Sequence, residues 1–252
     1  MNDKVKKFQN LSFNDFKQLA KDESLNCYEK IGFPTEYRQA KEMAIFSDIR
    51  TKLPLLEQRG LRVLEVGPGC SELALMIINL CEHNGHELIL IDSQEMLDLL
   101  PNKPFIKKIS GCFPQNLTDF LESYKNKIDI FLCYSVMHYI FFEGNWFDFL
   151  DQAVGLLNWG GQALLGDLPN HSMRQRFFNS PNGVAFHKAF TKTDTEPSVQ
   201  WQPTVQATQI DDSVILASLM RVRAAGYHAY VVPQPQALPM ANRREDILIY
   251  RP

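Results

Sequence analysis

The stretch Leu61-Arg62-Val63-Leu64-Glu65-Val66-Gly67-Pro68-Gly69-Cys70-Ser71 decides the fold. An apolar run with strand character ends in Gly-Pro-Gly. Helical spacing follows, with Leu73, Ala74, Ile77 and Cys81 on one face. Strand, glycine turn and helix bring a backbone close to a nucleotide-like ligand. A second strand, Glu87-Leu88-Ile89-Leu90-Ile91-Asp92, also ends on an acid, and the pair points to an adenosine-containing cofactor.

Outward from this unit, strands and helices alternate. Further strands are expected at Phe105 to Ile109, Ile128 to Cys133 and Gln162 to Gly166, with helices beginning near Ser71, Ser93, Asn116 and Asn145. Leu117, Phe120, Leu121 and Tyr124 keep i, i+3, i+4, i+7 spacing behind an expected Asn116 cap. Phe147, Leu150, Val154 and Leu157 do so in a helix expected to stop at Gly160-Gly161. Such alternation gives a parallel sheet with helices on both faces. Upstream, Ser12 caps a helix carrying Phe13, Phe16, Leu19 and Ala20, and Pro34 opens one carrying Tyr37, Ala40, Ala44 and Ile45. Downstream, a helix runs from Asp211 to Ala225 and closes at Gly226. The final strands, Tyr227 to Val232 and Asp246 to Tyr250, are joined too closely for a crossover helix and therefore pair antiparallel. Between lies Pro169 to Gln209, polar but studded with Phe177, Phe178, Phe186, Phe190 and Trp201, a composition that fits a packed lid.

The 252 residues suffice for one α/β domain with a cap. A net charge of −3 argues against broad nucleic-acid binding, which needs a basic face. The five cysteines (Cys27, Cys70, Cys81, Cys112, Cys133) form no CxxC pair, and Cys81 and Cys133 sit in apolar runs as core residues. A reduced cytoplasm is the expected compartment, and no metal site is expected. Met1 to Asn10 is polar and lysine-rich, unlike a secretory leader, and no apolar run is long enough to span a bilayer.

Three cofactors compete for the glycine turn. A nicotinamide or flavin fingerprint needs a third glycine where Glu72 stands, and a phosphate-binding loop needs a Gly-Lys-Ser/Thr that is absent. The run Leu64 to Ser71 instead resembles the first motif of class I S-adenosylmethionine-dependent methyltransferases, E/D-x-G-x-G-x-G, with Ser71 at the third glycine. Ile91-Asp92 resembles the second-strand acid of that family, Ile128 to Ser135 its fourth strand, and Leu156-Leu157-Asn158-Trp159-Gly160-Gly161 the turn before its fifth. The likeness runs from about Leu61 to Pro252. It implies a Rossmann-like α/β fold: a seven-stranded mixed sheet, the last strand antiparallel, helices on both faces. Residues 1–60 would form a helical cap and 61–252 the cofactor domain, with a lid insertion at 169–210.

The resemblance implies S-adenosylmethionine as cofactor, held by Glu65, Gly67, Pro68, Gly69, Asp92 and Ser93 from the first two strands. Gly111, Cys112, Phe113, Tyr134 and Ser135 would complete the site from the next two. Asp92 would take both ribose hydroxyls, or else cap the next helix, and Glu65 would bind turn amides or the cofactor ammonium. Where the family often has an adenine-binding Asp, this chain has Cys112, a poor acceptor, so adenine would rely on backbone contacts and on stacking with Phe113. Beyond the ends of the fourth and fifth strands lie His138 and Asp167, read as a base and its orienting acid, or His138 as a helix cap. Tyr139, Asn170, Arg174, Arg176, His187, Arg243 and Arg244 are expected around a small acceptor. The two arginine pairs favour an anionic one, methylated at oxygen. Rival readings are a nitrogen or carbon acceptor, a non-catalytic binding subunit, and a dehydrogenase, the last disfavoured by Glu72.

Overall fold

The computed structural model describes residues 11–199 and 209–252. Its strands are β1 (Arg62–Val66), β2 (Glu87–Asp92), β3 (Ile106–Ser110), β4 (Ile128–Tyr134), β5 (Leu157–Pro169), β6 (His228–Pro233) and β7 (Arg244–Tyr250). They form one seven-stranded sheet in the order β3-β2-β1-β4-β5-β7-β6. Strands β1 to β5 run parallel, and β7 lies antiparallel between β5 and β6. The edge that receives the carboxyl ends of β1, β2, β4 and β5 therefore also receives the β6–β7 connection.

Side chains alternate across the pleat, so each central strand feeds two cores. Leu64, Ile89, Ile91, Phe131 and Cys133 enter one core, with Phe149, Leu150 and Val222 from helices Trp146–Leu156 and Asp212–Ala224. Val63, Leu88, Leu90, Ile130 and Leu132 enter the other, with Ile45, Ile49, Ile77 and Cys81 from helices Glu42–Lys52 and Glu72–Asn84. Both faces of the sheet are covered. No helix among the described residues is long and apolar enough to cross a membrane.

Several local expectations need correction. The helix expected from Pro34 is two, Thr35–Arg38 and Glu42–Lys52, because Ala40 takes a left-handed backbone (φ 62°) between them. Asn116 is left-handed too (φ 60°), and Leu117 rather than Asn116 precedes helix Thr118–Tyr124. Helix Trp146–Leu156 ends before Leu157, and Gly160-Gly161 lie inside β5. Phe147 is exposed there, because Trp146 turns inward and donates from Nε1 to Ser218 Oγ at 2.8 Å. In the 169–210 stretch, helices His171–Phe178 and Pro181–Thr191 pack together through Phe177, Phe178 and Phe186. Their close approach requires Gly183, where a Cβ would sit 1.9 Å from the Phe177 carbonyl oxygen. Met1 to Asn10, Trp201 and Pro203 lie outside the described residues.

Candidate active site

A cleft of about 1110 Å³, mouth included, opens over the ends of β1, β2 and β4. Its floor is the glycine turn. Gly67 (φ 70°) donates its amide to Ile91 O at 2.8 Å, and Gly69 (φ 64°) donates to Asp92 Oδ2 at 3.3 Å. Both backbones are left-handed, where a side chain strains the chain. A Cβ on Gly67 would also lie 2.5 Å from Val136 Cγ2, and one on Gly69 2.6 Å from Ile31 Cγ2. The turn is thus tight for two independent reasons, and both leave bare backbone facing the cleft.

Two acids face this turn without a cation beside them. Glu65 is buried, and its Oε2 has no hydrogen-bond partner among the described residues. Burial, with the nearby Asp92 charge, pushes the Glu65 pKa up to about 8. Burial raises Asp92 to about 6, against the lowering pull of the Ser93 and Gly69 amides. Such acceptors are completed by a ligand that brings hydroxyl or ammonium donors. Pro68, Gly111, Cys112, Phe113, Tyr134, Ser135 and Tyr139 also line the cleft. Ser93 does not: its Oγ accepts from Met96 N at 3.2 Å, so it supplies the helix cap considered for Asp92. The Phe113 ring is 3% exposed and packs edge-on against Phe149 at 5.4 Å and beside Phe131 at 5.8 Å. The core holds that ring, which argues against the expected stacking role.

The N-terminal helices, expected as a cap over the cofactor, supply one wall of the cleft. Phe13, Phe16, Ile31, Phe33 and Arg38 line the cleft, and Phe16 meets Tyr139 in a T-shaped contact at 4.8 Å. The i, i+3 pair Phe13 and Phe16 was a usable signal. The role of buried Arg38 was not, since it rests on a partner far along the chain. Arg38 Nη2 donates to Ser135 Oγ at 2.9 Å while its ring-facing side covers Phe33.

Ser135 (φ 62°) and Asp167 (φ 64°) are strained residues just past β4 and near the end of β5. Their side chains meet: Ser135 Oγ donates to Asp167 Oδ2 at 2.6 Å. Arg244 Nη1 donates to the Asp167 carbonyl at 2.8 Å and to Oδ2 at 3.1 Å. The Asp167 amide donates to Asp246 Oδ1 at 2.7 Å, and Lys52 Nζ reaches Asp246 Oδ2 at 2.7 Å. Asp167 is thus committed to Ser135 and Arg244, which corrects its expected role as the acid orienting His138. His138 is no helix cap either, since it sits in the first turn of helix Met137–Glu143 behind Val136. Its Nδ1 is enclosed without a partner among the described residues, and its ring lies 3.7 Å from that of Tyr139. Burial, with the Arg244 charge, lowers the His138 pKa to about 3, so the imidazole is neutral at pH 7. Burial raises the Tyr139 phenol to about 12.

A second cavity opens beside β5 and β7, lined by His138, Asn170, His171, Arg174, Arg243 and Arg244. Three of the four expected arginines therefore converge. Arg176 does not: it pairs with Asp212, with Nη2 3.2 Å from Oδ1. His187 packs against Phe178 at 6.2 Å and lines neither cavity. The buried Asn170 side chain is occupied. It accepts from Met173 N at 3.0 Å and donates to Asp212 at 2.8 Å and Glu245 at 2.6 Å.

No protein-family model matches the sequence, and no curated protein matches it. Solved structures do. The plantazolicin methyltransferase BpumL, in complex with a triazolic desmethylPZN analogue and SAH, is 11% identical with a TM-score of 0.56, covering 100% of this chain and 99% of its own. The CurJ carbon methyltransferase is 14% identical, TM-score 0.52, with 90% of this chain and 61% of that one covered. A candidate O-methyltransferase from Nostoc punctiforme PCC 73102 is 16% identical, TM-score 0.50, with 94% and 60% covered. The chain thus spans about three fifths of the length of the latter two. At these identities the likeness is one of fold. The sheet order, with β7 antiparallel between β5 and β6, is that of the class I methyltransferases.

Proposed function

We propose that the protein transfers a methyl group from S-adenosylmethionine to a small anionic molecule, at oxygen. The observation that carries this reading is the glycine turn faced by two acids that lack cation partners, Glu65 buried and Asp92 half-buried, in this fold. The residues present fit the cofactor. Glu65 Oε2 is an acceptor without a partner among the described residues and would suit an ammonium, and Asp92, at the end of β2, would accept from vicinal ribose hydroxyls. The bare backbone at Gly67 and Gly69 lets a ligand approach where a Cβ would collide. Held there, the cofactor would supply an activated methyl group on a sulfonium leaving group.

The chain's part is to align the acceptor and exclude water. Phe13, Phe16 and Tyr139 wall the cleft with apolar surface. An oxygen acceptor must also lose a proton. His138 is the imidazole between the two cavities, and Arg244 is one reason its basicity is low. An anion beside Arg244 offsets that charge and raises the basicity in part, burial remaining the larger cause, so the acceptor's own charge would help prepare the base. The low resting basicity equally favours a second reading, a nitrogen acceptor attacking through its lone pair, for which His138 is dispensable. A reduced cytoplasm suits the five free thiols, and the domain division at about residue 60 suits helices that wall the cleft.

Calorimetric titration with S-adenosylmethionine and, separately, NAD tests the reading. Micromolar binding of the first alone is expected, with Asp92→Ala weakening it about 10- to 100-fold, the scale of hydrogen bonds to a charged group. Binding of NAD instead, or of neither, overturns it.

A further inference from the structure

We propose that Arg174, Arg243 and Arg244 form a phosphate subsite, so that the acceptor is a phosphate monoester; this rests on the methyl-transfer reading above. The deciding feature is which guanidiniums of the second cavity lack an ion-pair partner. Three guanidiniums line it. Asp167 makes an ion pair with Arg244 and its charge also reaches Arg243, but Arg174 and Arg243 have no carboxylate within ion-pair distance among the described residues. The nearby acids are engaged elsewhere: Asp212 holds Arg176, and both Asp212 and Glu245 accept from Asn170. Two guanidiniums, Arg174 and Arg243, are thus left without an ion-pair partner, and together they offer forked donors to the oxygens of a phosphate monoester dianion, more than a single carboxylate can use.

The fold holds these like charges together at a cost. Arg174 and Arg243 both lie over the Phe178 ring, each 5.4 Å from its centroid. The Arg243 carbonyl accepts from Asn170 N at 3.0 Å, tying the start of β7 to the helix that carries Arg174. Burial, with the Arg244 and Arg174 charges, lowers the Arg243 pKa to about 10. Packing of this kind presents guanidiniums in fixed positions, which suits forked recognition of phosphate oxygens. A nucleic-acid backbone would meet such charge on an open basic face, not in a cavity of a chain with net charge −3. His138 faces this cavity and the adjacent Tyr139 faces the glycine-lined cleft. An acceptor anchored by its phosphate would lie beside His138.

The test is calorimetry on the full chain with phenyl phosphate and benzoate, for the parent and for Arg243→Gln and Arg174→Gln. S-adenosylmethionine is titrated in parallel, and thermal melts check folding. Phenyl phosphate should bind at least about tenfold more tightly than benzoate, and each glutamine variant should weaken it about 10- to 100-fold. Affinity for S-adenosylmethionine should not change. Binding should also tighten from pH 5 to 7.5, as the second phosphate proton leaves near pH ~6. Equal affinity for the two probes, or unchanged phosphate affinity in both variants, overturns the subsite. Should phosphate bind and S-adenosylmethionine fail, the donor reading falls and an anion site stands; the reverse result removes the subsite alone. If Arg243→Gln fails to fold, the exposed Arg174→Gln decides.

Discussion

Two cavities share one edge of one sheet and are built in opposite ways. The cleft over β1, β2 and β4 is apolar and carries acids without cation partners. The cavity beside β5 and β7 carries three cations, two of them, Arg174 and Arg243, without an ion-pair partner. The first is assembled from neighbours in sequence, since Glu65, Gly67 and Gly69 lie within five residues and Asp92 is fixed by the next strand. The second draws on residues 138, 170–174 and 243–244, brought together only by the antiparallel insertion of β7. A site made by local backbone geometry is intolerant of small changes; one made by convergence of long side chains tolerates them one at a time.

Gly67→Ala is the most severe way to test that contrast. The left-handed backbone alone costs about 1–2 kcal/mol, and the added Cβ must displace Val136 from 2.5 Å. We expect a lowered melting temperature and loss of S-adenosylmethionine binding by more than about 100-fold, with phosphate binding in the basic cavity retained. Parallel loss of both ligands would show that the two cavities are one cooperative unit.

The cavities should also respond to pH with opposite sign. Glu65 has a folded-state pKa of about 8 against 4.5 when free, so the folded protein holds the extra proton. Its burial therefore costs stability as pH rises from 4.5 to 8, at most about 1.4 kcal/mol per unit. Asp92, raised from 3.8 to about 6, adds the same sign at the lower end of that window. His138 runs the other way: with a pKa of about 3 against 6.5 when free, it costs stability as pH falls from 6.5 toward 3. Chemical denaturation from pH 4 to 8 should show Glu65→Gln flattening the alkaline loss and His138→Asn flattening the acid loss. A parent-like slope for either variant would remove the corresponding burial argument.

The same contrast decides what was legible in the sequence. Strands β1 and β2 were legible, because apolar runs ending at glycine or an acid are local signals. Strand β5 was shortened in the reading because Gly160-Gly161 looks like a terminator, yet the pair sits within the strand, with Gly160 at φ 75°. The break at Ala40 was invisible, since alanine in a left-handed conformation carries no compositional mark. Topology placed Arg243 and Arg244 on the correct edge. Nothing in sequence could show that Asp167 would be claimed by Ser135 and Arg244 rather than by His138, because those partners lie 32 and 77 residues away.

Arg174 and Arg176 give the smallest and most discriminating comparison. Two residues apart on one helix, they stand about 200° apart around its axis, so both cannot face one cavity. The pair read as one feature in the sequence is divided by the helix, with Arg174 turned to the basic cavity and Arg176 to Asp212. The Arg176–Asp212 pair is about half exposed on each side, at 55% and 44%, so screening leaves it worth at most about 1 kcal/mol. Arg176→Ala should therefore lower stability by no more than that, leave S-adenosylmethionine affinity unchanged, and leave phosphate affinity unchanged at high salt. Its one indirect route to the cavity is through Asp212, which would then be held by Asn170 alone. Freed from Arg176, that carboxylate adds negative charge near the cavity, and phosphate affinity should fall slightly at low salt and recover at high salt. A salt-independent loss as large as that of Arg174→Gln would mean that Arg176 itself reaches the ligand, and the division of the helix into two faces would be wrong.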